Sequence, residues 1–75
     1  MELTNFISQC DELLVALSNQ GDDTTVQKIR LLIILDKSNM EAVARTPPPL
    51  APSIAREAIT NFLATKELVM DYLSA

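Results

Sequence analysis

Apolar residues recur along the first twenty residues with the spacing of one helix face. They lie three or four positions apart, so at about 100° per residue they share one side of a helix. The set is Leu3, Phe6, Ile7, Cys10, Leu13, Leu14 and Leu17. Gly21, the one glycine of the chain, follows at a place where a left-handed residue commonly ends a helix. The pattern predicts a first helix over residues 3–19.

A second apolar stripe begins after Asp22 and Asp23. Residues 24–27 (Thr-Thr-Val-Gln) have the form of a capping box, in which a hydroxyl and an amide satisfy free backbone groups at a helix start. The stripe predicts a second helix over residues 24–45 and consists of Val26, Ile29, Leu32, Ile33, Met40 and Val43. Asp36 interrupts this stripe, and residues 38–41 form a second capping box. The stretch is therefore either one continuous helix or two helices broken near residues 36–39.

All four prolines lie in residues 46–53. Proline lacks an amide proton and restricts the residue before it to extended geometry, so we predict a stiff, polyproline-like link between helices. Ser53 as an N-cap, or Pro52 as the first helical residue, begins the last helix, which is predicted over residues 53–73. Its apolar stripe is Ala55, Ala58, Ile59, Phe62, Leu63, Val69, Met70 and Leu73.

These elements predict an all-α protein, a single domain over residues 1–75 folded as a small three-helix bundle. The second and third helices are expected to form an antiparallel hairpin joined by the Pro-rich link. A chain of 75 residues is too short for more than one ordinary domain, and its core is small. With one cysteine and no histidine, neither a disulfide nor a common metal site reinforces that core. A partner protein or a second subunit is the support that remains.

The charge pattern argues against nucleic acid and membranes as partners. The net charge is −4, and the six basic residues are scattered along the chain, whereas nucleic acids and anionic membranes are bound by basic clusters. The longest apolar run, residues 31–35, is far shorter than the roughly 20 residues that span a bilayer. The first residues lack the pattern of a signal peptide, and with a free thiol this predicts a cytoplasmic protein.

Residues suited to catalysis are few. Without histidine and with one glycine, the commonest general base and a Gly-rich phosphate loop are both absent. Cys10 falls on the inward face of the first helix, where a cysteine is usually a small core residue and not a reactive thiol. Asp22 and Asp23 fit the positive end of a helix dipole better than a metal site. We therefore expect no enzyme activity, no cofactor and no metal.

Residues 36–40 (Asp-Lys-Ser-Asn-Met) resemble the modification site of acyl carrier proteins, which are also short, acidic and helical. Those proteins carry phosphopantetheine on a serine that follows an aspartate at the start of the second helix. The resemblance implies an acyl-carrier-like protein modified on Ser38. The chain departs from the pattern because Lys37 separates the aspartate from the serine, and Asn39 stands where the family has a hydrophobic residue.

The second helix is more apolar than one stripe requires. Leu31, Ile34 and Leu35 lie off the main stripe and form a patch of their own with helical spacing. A central helix that touches two neighbours needs a wide apolar arc, and the patch is explained in that way if it is buried. If it is exposed, the three residues are candidates for binding a partner protein or a second copy.

Asp36 and Lys66 each project into an apolar stripe. When the second and third helices are folded antiparallel about residue 49, the two side chains come within about one helical turn of each other. We therefore predict an Asp36–Lys66 ion pair that fixes the register of the hairpin more than it adds stability. In the alternative, Lys66 extends to water and Asp36 marks a helix break.

These expectations favour a non-enzymatic protein–protein interaction module. Its role would be that of a small acidic adaptor, chaperone or inhibitor that docks an apolar helix face onto a partner protein. The alternative is a self-associating structural subunit, a homodimer or a larger bundle.

Overall fold

The structure is a computed structural model that describes residues 3–21, 23–46 and 51–74. It contains three α-helices: α1 (Leu3–Ser18), α2 (Thr24–Ala44) and α3 (Ala51–Ser74). No strand occurs within the described ranges. The predicted all-α three-helix bundle is confirmed, and each helix end lies within two residues of its predicted position.

The turn between α1 and α2 confirms one predicted signal and corrects another. Gly21 has a φ of 104°, the left-handed conformation that only glycine adopts without strain. The cap of α2 is Asp23 and not the predicted Thr24, because the Asp23 carboxyl accepts a hydrogen bond from the Val26 amide at 2.9 Å. Aspartate caps at least as well as threonine, and its charge suits the helix dipole. Asp22 lies outside the described residues.

α2 is one continuous helix through residues 36–39. The second capping box is therefore not used as a helix start, and Ser38 is an exposed residue in the interior of α2. Asp36 stays within the helix because its buried carboxyl accepts a hydrogen bond from the Thr65 hydroxyl of α3. A polar side chain in an apolar stripe is tolerated when it finds such a partner.

α3 begins at Ala51, earlier than predicted. Pro52 lies in the first turn, where its missing amide proton costs no hydrogen bond because the first amides of a helix have no partner within it. Ser53 is consequently inside the helix and is not its N-cap. The predicted Pro-rich link shortens accordingly, and its residues 47–50 lie outside the described ranges.

The helices run alternately up and down. Late residues of α2, Asn39 and Val43, line one groove together with early residues of α3, Ala58 and Asn61, so these two helices are antiparallel as predicted. α1 and α3 are parallel, because Phe6 contacts Phe62 edge to face at 5.6 Å and the later Gln9 contacts the later Lys66. The bundle is a rod with a long dimension of 41 Å.

The core is formed by the inward stripes of the three helices. Its buried members are Cys10, Leu13, Leu17, Val26, Ile29, Ile33, Met40, Val43, Ala55, Ala58, Phe62 and Val69. Leu32, Leu63 and Met70 were predicted on these stripes but are exposed. Each lies at the edge of its stripe, and a helix with two neighbours buries one side only.

Candidate functional site

The side of α2 that faces away from the bundle carries four exposed apolar residues. We call them the outer α2 face: Leu31, Leu32, Ile34 and Leu35, exposed to 66%, 43%, 47% and 57% respectively. Three of them, Leu31, Ile34 and Leu35, are the predicted partner-binding candidates. Because these side chains are exposed, the interpretation in which they cover both neighbouring helices is wrong.

The neighbours of α2 explain why this face is left open. Lys37 contacts α1 through Asp11, and Asp36 contacts α3 through Thr65. At about 100° per residue, Leu31 and Leu35 point away from both of these directions. Ile33, between them in sequence, is fully buried. One short apolar run therefore supplies both the core and an exposed surface.

Leu68 of α3 extends the outer α2 face toward the next helix. Leu32 precedes Asp36 by four residues and Leu68 follows Thr65 by three, so each lies one turn from the hydrogen bond that joins the helices. Because α2 and α3 are antiparallel, both steps go in the same direction along the rod. At about 100° per residue, Leu32 and Leu68 both turn away from α1 relative to Asp36 and Thr65. Leu68, which is 45% exposed, therefore lies at the same level as Leu32 and on the same side of the bundle.

Three interhelical hydrogen bonds, one for each pair of helices, surround the middle of the bundle. Lys37 Nζ donates to Asp11 at 2.7 Å, and Lys66 Nζ donates to Gln9 at 2.8 Å. The third joins the Thr65 hydroxyl to the Asp36 carboxyl. We call these contacts the polar layer, and they hold α2 at a fixed rotation.

The polar layer corrects the predicted Asp36–Lys66 ion pair. Asp36 accepts a hydrogen bond from Thr65, the residue next to Lys66. Lys66 extends instead toward α1, where it donates to Gln9. The hairpin register was predicted closely enough to bring the right turns together. The partners differ because Thr65 and Lys66 point about 100° apart on α3, toward different neighbours.

Lys37 forms an ion pair with Asp11, and both side chains are partly exposed. The hydrogen bond to Asp11 raises the pKa of Lys37 above its ordinary value. Lys37 is thus held on the α1 side of α2, away from the outer α2 face. Lys28 and Glu41 are exposed.

Cys10 is fully buried. Burial raises the pKa of its thiol to about 11, and the negative charge of Asp36 adds to the effect. Because the thiolate is the reactive form, burial and the raised pKa both disfavour reaction of Cys10 near neutral pH. This confirms its predicted place as a small core residue.

An open groove of about 320 Å³ lies between the end of α2 and the start of α3. Its wall includes the polar residues Asn39, Thr46, Glu57 and Asn61. Within the part of the chain that the structure describes, no cluster of three or more acidic, cysteine or histidine side chains could hold a metal ion. Over the same residues, no helix combines the length and apolar character needed to cross a bilayer.

The position of Ser38 differs from what the acyl carrier resemblance implies. Ser38 lies in the interior of α2, one turn beyond Leu35, and not at a helix start.

Comparison of the chain with protein-family models, with characterised proteins and with solved structures finds no match.

Sequence reasoning found three residues of the candidate surface and missed Leu32 and Leu68. By spacing alone, Leu32 belongs to the inward stripe of α2. Its exposure depends on where α3 packs against α2. Leu68 carries no signal in the sequence, since its position beside Leu32 depends on the register of the hairpin.

Proposed function

We propose that this chain is a non-enzymatic protein–protein interaction module that docks the outer α2 face onto another protein. Its role is that of a small acidic adaptor, chaperone or inhibitor. The observation that supports this proposal is the contiguous exposure of four large aliphatic side chains on one helix whose inner side is fully packed. Single exposed leucines are ordinary on protein surfaces, whereas clusters of them mark interaction sites.

Burial of this surface contributes favourably to binding. Full burial of one leucine or isoleucine side chain stabilises by about 1.5–3 kcal/mol. The exposed fractions of the four residues amount to roughly two whole side chains, so covering them contributes about 3–6 kcal/mol before the cost of association. A folded partner with an apolar ridge or groove supplies the matching surface.

The rigidity of α2 also favours docking. The polar layer and the packed inner stripe hold the outer α2 face in one orientation, so little conformational entropy is lost when a partner binds. Lys28 and Ser38 flank the face along α2 and provide a polar rim that can remain hydrated.

Site-specific photo-crosslinking in the source cell tests this proposal. A benzophenone side chain replaces Leu35 in one sample and Met70 in the control sample. Met70 is matched because it is 50% exposed and apolar, yet lies on α3 away from the outer α2 face. We expect adducts with a discrete second protein from position 35 and not from position 70.

The double variant Leu31→Glu/Leu35→Glu provides the complementary loss of function. Both positions are exposed and glutamate is a good helix former, so the circular dichroism spectrum should be unchanged. The adduct partner should no longer co-purify with this variant. Adducts of the same kind from positions 35 and 70, or retained co-purification, would contradict the proposal.

A further inference from the structure

The outer α2 face is symmetric about the level of Ile33. Leu31 and Leu35 lie two residues to either side of Ile33, and Leu32 and Ile34 lie one residue to either side. At about 100° per residue, Leu31 and Leu35 form the middle of the face, with Ile34 at one edge and Leu32 at the other. Consider a two-fold axis that runs across the outer surface of this face, perpendicular to α2 at the level of Ile33. This axis places apolar residues of one copy opposite apolar residues of the second throughout the face.

We propose that a second copy of this chain covers the outer α2 face by packing its own α2 antiparallel, with the two-fold axis at the level of Ile33. The inference rests on the proposed function, because it states what covers this docking face when no other protein is bound to it. Leu31 of one copy packs against Leu35 of the second, and each edge meets the same edge of the second copy. Leu32 thus meets Leu32, and the neighbouring Leu68 widens the contact at that edge.

Lys28 and Ser38 select the antiparallel arrangement. Lys28 precedes Ile33 by five residues and Ser38 follows it by five. An antiparallel pair therefore sets Lys28 of one copy level with Ser38 of the second, where a lysine meets a neutral hydroxyl. A parallel pair would set Lys28 against Lys28, and like charges at an interface are unfavourable. Antiparallel helix dipoles add to the same preference.

The distribution of charge makes α2 the side through which two copies can approach. The chain carries a net charge of −4, which opposes self-association in general. The Lys37–Asp11 ion pair joins α2 to α1 and Asp36 is buried, and among the other charges of α2 the basic Lys28 and Arg30 outnumber Glu41. Apart from that ion pair, α1 by contrast carries Glu12 and no basic residue. A strongly basic partner would be drawn to α1, whereas a second copy meets the least repulsion at α2.

The contact area indicates a reversible dimer. A helix of 21 residues is about 31 Å long, and a contact strip about 10 Å wide covers roughly 300 Å² on each copy. Stable interfaces cover about 800 Å² per partner. The dimer therefore dissociates on dilution, and the face becomes free for a different protein of higher affinity.

Sedimentation equilibrium on the full chain, over micromolar to millimolar concentrations, tests the inference through the charge at position 38. Ser38→Glu places an acidic side chain level with Lys28 of the second copy and should tighten the dimer roughly three- to tenfold, because the contact occurs twice. Ser38→Lys should weaken the dimer by a similar factor. Adding Lys28→Glu to Ser38→Lys should restore it. Leu35→Glu should abolish the dimer, and the matched control Met70→Glu should leave it unchanged.

A dimer constant that follows this order supports the antiparallel pairing. A monomer at every concentration overturns the self-docking inference, and adducts of another protein at position 35 would then leave the proposed function standing. A dimer that is insensitive to the charge at position 38, or equally weakened by Met70→Glu, also overturns the inference because its interface lies elsewhere.

Discussion

The hydrogen bond between Thr65 and Asp36 offers the sharpest test of what positions α2. Thr65→Val keeps the shape of the side chain and its β-branching, so helix propensity and packing change little. The substitution removes the hydroxyl donor to Asp36, which is 7% exposed. The Asp36 carboxyl then stays buried without its partner, and an unsatisfied buried polar group costs about 1–3 kcal/mol, more if it is charged.

We expect Thr65→Val to lower the free energy of unfolding by about 2 kcal/mol. For a domain of this size the change corresponds to a fall in Tm on the order of 10 °C. Urea unfolding followed by circular dichroism measures it. The control is Thr60→Val on the same helix, whose hydroxyl donates to the Arg56 carbonyl in an exposed position. The control should change stability by less than about 0.5 kcal/mol.

A second substitution tests whether the lost stability comes from the unpaired Asp36 carboxyl. Asp36→Leu removes the buried acceptor, so the double variant Asp36→Leu/Thr65→Val replaces a polar pair with an apolar one. Such replacements are often neutral or stabilising, and we expect most of the lost stability to return. If Thr65→Val is as stable as Thr60→Val, or if the double variant is less stable than Thr65→Val alone, the hydrogen bond between Thr65 and Asp36 does not stabilise the fold.

Two further predictions concern the cap of α2 and the buried thiol. Asp23→Ala should lower the free energy of unfolding by about 1 kcal/mol, because the Val26 amide loses its acceptor. Asp23→Asn should retain most of the stability, and urea unfolding of both variants measures the difference. The pKa of the Cys10 thiol is about 11 in the folded chain, against an ordinary value of 9.0. As the pH rises, the unfolded chain therefore loses this proton first, and the free energy of unfolding should fall between pH 9.0 and about 11. Cys10→Ala should remove that component of the pH dependence. A slope that is the same in wild type and Cys10→Ala would show that other groups cause it.

The sequence was sufficient for the helices and their order because apolar spacing and Gly21 act locally. The sequence left open whether α2 is continuous. The reason is that Asp36 is tolerated within the helix because Thr65, 29 positions away, donates a hydrogen bond to it. The ion-pair prediction was wrong for a related reason. Opposite charges at nearby levels suggested a pair, but the directions in which Thr65 and Lys66 point are set by the positions of both neighbouring helices.

The candidate surface was predictable in part. Leu31, Ile34 and Leu35 lie off the main stripe of α2, so the helical pattern identified them as a second patch but left open whether a neighbouring helix buries it; the structure shows them exposed. Leu32 and Leu68 sit at the boundary between α2 and α3. Their exposure depends on the distance and rotation of two helices, which periodicity does not specify.

The contacts between α1 and α3 have a consequence for how the chain folds during synthesis. Gln9 and Lys66 are 57 positions apart, whereas α1–α2 and α2–α3 contacts join consecutive helices. While α3 is still being made, the emerging α1–α2 hairpin exposes the side of α2 that α3 will cover in addition to the outer α2 face. This nascent form is open to aggregation on two sides. A ribosome-stalled chain that ends before Thr65 should therefore bind a holdase chaperone more strongly than one stalled after α3 has emerged.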